Sequence, residues 1–212
     1  VIYIQIKRVR EKTVMKNLIK YLKHNRYARM KELKKASFQT RDISNLLKEG
    51  IIHKIKPGLY RLEEIFDVDG VSTGFLDVCQ AIPQGVICLI SALEFYDLTT
   101  FNPSSIYVAV PQPCKIPQII YPPIKAYYFS KNIYQAGIEH IKTRYGTVKI
   151  YNREKTICDM FRYRNKLGED LAFEGLKNYL NSRGFNIGKI IEYSKICRVE
   201  KIIMPYLKVI VA

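Results

Sequence analysis

The sequence has no C-x-x-C pair, no zinc-ligand spacing, no P-loop and no Gly-x-Ser-x-Gly elbow. These absences remove the short signatures of metal, phosphate-cradling and hydrolase chemistry. The three histidines, His24, His53 and His140, do not cluster with the five cysteines, Cys79, Cys88, Cys114, Cys158 and Cys197. No metal and no cofactor is therefore expected. An odd, scattered set of cysteines is expected to be reduced, as in a cytoplasm. Long apolar runs are missing too. The opening VIYIQIKRVR has too short an apolar stretch and charges inside it, so neither a signal peptide nor a membrane span is expected. The chain begins with Val1. A non-AUG start codon, a trimmed N terminus and an over-extended frame whose true start is Met15 all fit that beginning.

Acidic residues are scarce in one place only. Residues 1–62 carry 17 Lys/Arg against 4 Asp/Glu, a net of +13, whereas residues 63–212 carry 18 against 15, a net of +3. Nearly all of the formal charge of +16 thus lies in the first third, which marks that part as the footprint for a polyanion. A membrane surface is the competing polyanion, but no amphipathic anchor helix supports it. With 48% hydrophobic residues, the 212-residue chain can bury a core and fold as one large or two small domains.

The stretch QTRDISNLLKEGIIHKIKPGLYRL, residues 39–62, organises the basic part. Ile43, Leu46 and Leu47 recur at helical spacing and make an apolar face. Arg41, Ser44, Asn45 and Lys48 make the opposite face, with Gln39 and Thr40 at its start. Thr40 is expected to cap the helix and Gly50 to stop it. Ile51 to Ile55 reads as a strand, Pro57-Gly58 as a turn and Leu59 to Leu62 as the return strand. A helix with a polar, arginine-bearing face followed by a basic hairpin predicts a winged helix-turn-helix over residues 13–63. The helix would enter the major groove of double-stranded DNA and the hairpin would touch the backbone. Gln39, Thr40, Arg41, Ser44, Asn45 and Lys48 are the candidate DNA-reading residues. Lys34, Lys35, Lys54 and Lys56 are the candidate phosphate contacts.

Residues 13–24 are expected to form the first helix, 25–28 a turn and 29–36 a second short helix. Residues 63–73 turn acidic and are the expected domain boundary. Residues 75–82 read as a helix stopped by Pro83. In GVICLISALEFYDL, residues 85–98, the second half reads as a helix capped near Ser91, with a strand over 86–90 left open. Residues 105–110 and 124–129 read as strands, and the five prolines within 111–123 force an extended connection between them. Residues 138–143 and 147–151 flank a hairpin turn. Helical periods follow at 153–166, 169–182, 187–197 and 200–211. Residues 74–212 are thus expected to form an α+β domain, a mostly antiparallel sheet followed by a helical cluster.

The opening helices and KIKPGLYRL, then ICLISALEFYDLT, SIYVAVP and YNREKTICDMFRYR, together resemble the AbiEi-type antitoxins of abortive-infection, type IV toxin–antitoxin systems. The likeness covers roughly residues 14–212, and the order of the pieces is more specific than any one of them. The resemblance implies an N-terminal winged helix that binds inverted repeats in the promoter and represses the operon. It also implies a C-terminal domain that supports cooperative repression and counters a nucleotidyltransferase-like toxin, directly or indirectly. The family's glutamate-threonine-aspartate signature falls on Glu154, Thr156 and Asp159. Their residue types suit the opening turns of a helix, where an acidic group offsets the dipole and a threonine bonds backbone.

Two other readings stay open beside this one. A stand-alone winged-helix regulator would use its C-terminal domain to dimerise or to sense a ligand, in a pocket lined by Tyr107, Tyr127 and Tyr128. A metal-dependent nuclease would use Glu154 and Asp159, but five residues apart on one helix they point to different faces, and no third carboxylate is near. No enzymatic activity is expected. Lys155, Arg162 and Lys166 share one helical stripe away from Ile157, Met160 and Phe161. They read either as a solvated face or as a surface for an acidic toxin or its nucleic-acid substrate.

Overall fold

The structure is a computed structural model that describes residues 2–63 and 69–211, with side chains placed for residues 13–63 and 69–208. It is a mixed α+β chain. The basic third holds α1 (Ile2–Asn25), β1 (Tyr27–Arg29), α2 (Met30–Lys35), α3 (Thr40–Lys48), β2 (Ile52–Lys56) and β3 (Leu59–Leu62). The strands form an antiparallel sheet in the order β1-β3-β2. Leu18 and Leu22 of α1, Leu33 of α2, and Ile43 and Leu46 of α3 pack on Ala28, Ile52, Tyr60 and Leu62. These are the positions that helical and strand periods bring to one side. Gly50 ends α3 at φ +69°, and Gly58 sits at φ +77° in the β2–β3 turn, where its carbonyl accepts from the Met30 amide at 2.8 Å.

Three local expectations are corrected here. α1 extends back to Ile2 rather than starting at residue 13. Residues 27–29, expected to end a turn and begin the second helix, form a short strand, because β3 offers them an edge. The cap of α3 is Gln39 and not Thr40. The Asp42 carboxylate reaches back to the Gln39 amide at 3.1 Å, so an acid at the third helical position does the work expected of the hydroxyl.

The remainder runs α4 (Thr73–Ala81), β4 (Val86–Ile87), α5 (Leu89–Phe95), β5 (Ile106–Pro111), β6 (Ile124–Phe129), α6 (Lys131–Gln135), β7 (Ile138–Thr143) and β8 (Gly146–Tyr151). Four helices follow, α7 (Arg153–Leu167), α8 (Glu169–Asn181), α9 (Ile187–Ile196) and α10 (Glu200–Val211). The sheet order is β6-β5-β4-β8-β7. The expected mostly antiparallel sheet is in fact mixed: β4–β5 and β7–β8 are antiparallel, whereas β5–β6 and β4–β8 are parallel. The proline-bearing connection between β5 and β6 is long enough to carry the chain back to the starting end of the sheet, and so permits a parallel pair. Ser91 does not cap α5. Its hydroxyl accepts the Tyr107 amide at 3.0 Å, and α5 starts earlier, at Leu89.

Alternation along β5 gives the sheet two covered faces. Tyr107 and Ala109 join the core formed with α5 and α7 to α10, and Val108 and Val110 join the core formed with α4. The second core also contains Ile55 and Leu59 of the basic hairpin. The expected boundary at 63–73, of which 64–68 lie outside the described residues, is therefore not a break in packing. Asp77 of α4 is fully buried and accepts from Tyr27 Oη at 2.8 Å and from Arg61 Nε at 3.0 Å. The Ile55 carbonyl accepts from the amides of Ile120 and Tyr121, at 2.8 and 3.3 Å. Arg26 lies 4.2 Å over the Tyr145 ring at the β7–β8 turn. One face of the small sheet carries α1 to α3 and the other is fixed to the rest of the chain.

Candidate nucleic-acid interface

With both sheet faces covered, the basic third is open on the outer sides of its helices, α3 among them. Ile43 and Leu46 are buried, while Gln39, Thr40, Arg41, Ser44 and Lys48 are exposed and Asn45 is half-buried. The structure thus places Arg41, Ser44, Asn45 and Lys48 on one side of α3, with Thr40 at its first position and Gln39 as the N-cap just before it. Lys31, Lys34 and Lys35 of α2 are exposed on the preceding helix, and only Ser37, Phe38 and Gln39 separate Ala36 from α3. Lys54 is half-exposed on β2. Such a surface offers guanidinium, amide and hydroxyl donors at helical spacing, flanked by ammonium groups.

Lys56 departs from its expected role. Its ammonium donates to the Ala81 carbonyl at the end of α4, at 2.5 Å. A helix C terminus attracts a cation, so the side chain turns inward to the junction. Burial, and then the nearby Arg29 charge, lower its pKa from the ordinary lysine value. The Ala81 contact ties Lys56 to the junction with α4.

The surface expected on α7 is also corrected. Residues 154–161 are all buried, because α7 is packed against α5, α8 and α9 at once. Lys155 is 0% exposed. Its ammonium pairs with Asp159 at 2.5 Å and lies 4.2 Å from the Tyr151 ring centre and 5.0 Å from that of Phe129. It cannot share a docking face with Arg162 and Lys166. Those two are exposed, but they serve different neighbours. Arg162 donates to the Cys197 carbonyl at 2.8 Å, and Lys166 sits 4.9 Å over the Tyr127 ring.

The signature residues have structural partners. The Glu154 carboxylate accepts Tyr179 Oη at 2.7 Å, and that hydroxyl accepts the Asn186 amide at 2.6 Å. Thr156 Oγ1 donates to the Tyr151 carbonyl at 3.3 Å. Asn152 caps α7 by accepting the Lys155 amide at 2.9 Å. Burial pushes the Asp159 carboxyl above its ordinary pKa, against the pull of the Lys155 charge. Among the described residues, no three His, Cys, Asp or Glu side chains are grouped to hold a metal ion.

Sequence reasoning missed the Tyr27–Asp77–Arg61 cluster. Its only signal was a single aspartate in the otherwise apolar helix TGFLDVCQA. The pocket expected from Tyr107, Tyr127 and Tyr128 keeps the first two. Tyr128 points to the other side of its strand and is exposed. Among the described residues, no helix is long and apolar enough to cross a membrane. No protein-family model matches the chain, and no match was found among curated proteins.

Proposed function

We propose that the protein is a DNA-binding transcriptional repressor whose basic third acts as a winged helix-turn-helix, with α3 in the major groove. The observation that carries this reading is the outward face of α3, where Arg41, Ser44 and Lys48 are exposed on the most basic part of the chain. The order α1-β1-α2-α3-β2-β3, with a tight hairpin after α3, suits that docking. Arg41 has the donors to read guanine and Asn45 those to read adenine. Lys34, Lys35 and Lys54 provide phosphate contacts. The cellular role that fits best is the cytoplasmic antitoxin of a type IV toxin–antitoxin pair, which represses its own operon and counters a nucleotidyltransferase-like toxin without being an enzyme.

The test is binding of the full chain to its own promoter repeat and to random duplex of equal length. Arg41→Ala is expected to lower the preference for the repeat, and Lys34→Ala/Lys35→Ala to weaken both complexes alike. If Arg41→Ala keeps the full preference, α3 is not the reading element. The antitoxin role is tested separately, by whether the full chain rescues cells expressing the toxin encoded beside it.

A further inference from the structure

A cleft of about 610 Å³ opens where the starts of β5 and β6 meet the turn between α7 and α8. Its volume lies within the range of small-molecule sites, about 300–1,000 Å³. Strand register builds its floor. Tyr107 is paired with Lys125, and Tyr127 follows Lys125 by two residues, so all three side chains share one face of the sheet. The two tyrosine rings are 5% and 6% exposed and stack with centres 5.8 Å apart. Lys125 Nζ lies 3.4 Å from Tyr107 Oη, and Lys166 Nζ lies 4.9 Å from the Tyr127 ring centre. Both ammonium groups therefore rest on the aromatic wall of the cleft.

The opposite wall comes from the helix turn. Gly168 makes the turn at φ +110°, and Asp170 lines the cleft from the start of α8. Leu171 adds an apolar surface, and Phe101 stands at the rim with 48% of its surface exposed. The charged side chains lining the cleft, Lys125, Lys166 and Asp170, sum to one positive charge and so match one negative charge on a ligand. A polyanion would meet the Asp170 charge, and a neutral apolar molecule would leave both lysines without a counterion.

We infer that this cleft binds a small organic monoanion, a carboxylate on an apolar and preferably aromatic body. The carboxylate takes the Lys125 and Lys166 ammonium groups, and the body lies between the tyrosine floor, Phe101 and Leu171. This site is separate from the α3 surface and does not depend on the DNA-binding reading.

Phenylacetate is the probe, with phenylethanol as its neutral counterpart and acetate as the bare anion. Titration of the full chain, followed by calorimetry and by amide NMR shifts, is expected to show saturable phenylacetate binding centred on Tyr107, Ala126 and Leu171. Phenylethanol and acetate are each expected to bind about tenfold more weakly or less, since each lacks one half of the match. Lys125→Gln and Lys166→Gln should each weaken phenylacetate severalfold, and Asp170→Asn should tighten it. Lys142→Gln, on the exposed edge strand β7, is expected to leave it unchanged. All of these side chains are exposed, so the variants keep the fold, which circular dichroism checks. No saturable phenylacetate binding, equal binding of phenylethanol, or wild-type affinity in the Lys125→Gln/Lys166→Gln double variant overturns the inference.

Discussion

At the scale of single residues, Lys155 and Asp159 have the most to lose. Both are fully buried, and their charged groups pair with each other at 2.5 Å. Removing one member of such a pair typically costs about 3–5 kcal/mol, whereas replacing both by apolar groups costs far less. Lys155→Met is thus expected to destabilise the protein strongly in urea, and Lys155→Met/Asp159→Leu to recover most of the loss. The pH dependence has a defined sign. The folded-state carboxyl of Asp159 already lies above its ordinary pKa, and the loss of Lys155 raises it further. The folded state then holds that proton more tightly than the unfolded chain does, so the single variant gains stability as pH falls through that window. A defect that grows on acidification contradicts the buried-pair description. The thiols give a second check. Burial raises Cys79 to about 11 and Cys197 to about 12, and it raises Cys88 and Cys158 as well. Alkylation near pH 8 requires thiolate. Cys114, partly exposed on the proline-bearing connection, is expected to react first, while Cys88, Cys158 and Cys197 wait for unfolding. Mass spectrometry of partly labelled protein distinguishes these orders.

At the scale of elements, α3 and α7 show what periodicity can and cannot reveal. In α3 the apolar residues occupy one face only, so the sequence pattern separates Ile43 and Leu46 from Arg41, Ser44 and Lys48, and the structure follows it. The expected consequence is specific: Arg41→Ala should relax base discrimination by about 1–3 kcal/mol in competition binding. α7 is covered on all sides along residues 154–161. A stripe of basic residues there does not distinguish a solvated face from a buried ion pair, because the deciding partners, Tyr151 and Phe129, come from other elements. The strands expected over 105–110 and 124–129 were legible from their β-branched and aromatic content and lie at 106–111 and 124–129, but their parallel pairing was not, since no local pattern encodes which strand end the connection reaches. The Lys56 contact was illegible for the same reason: its partner, the Ala81 carbonyl, is 25 residues away. Lys54→Ala is accordingly expected to weaken DNA binding more than Lys56→Ala, which should chiefly lower stability. The reverse order in paired binding and melting measurements would restore Lys56 to the interface.

At the scale of the whole molecule, charge and packing divide the chain differently. Charge separates residues 1–62 from the rest, but the core around α4 takes in Ile55 and Leu59, and Asp77 closes the junction with Tyr27 and Arg61. A protein cut to residues 69–212 would expose that apolar surface and leave Asp77 without its partners. It is expected to melt well below the full chain, and so to be a poor test of toxin protection. Asp77→Ala in the full chain is expected to loosen the junction, seen as faster hydrogen exchange in β3 and lower DNA affinity with the α3 face unaltered. Unchanged exchange in that variant would show that the cluster does not hold the two parts together. The central claim, that the basic third binds duplex DNA through its phosphates, meets its most direct test in the salt dependence of affinity. For a protein that neutralises several phosphates, log affinity falls linearly with log salt at about 0.9 per phosphate. The full chain is expected to show such a steep line, and Lys34→Ala/Lys35→Ala to flatten it by about two contacts. A wild-type affinity that stays level as salt rises would contradict the account.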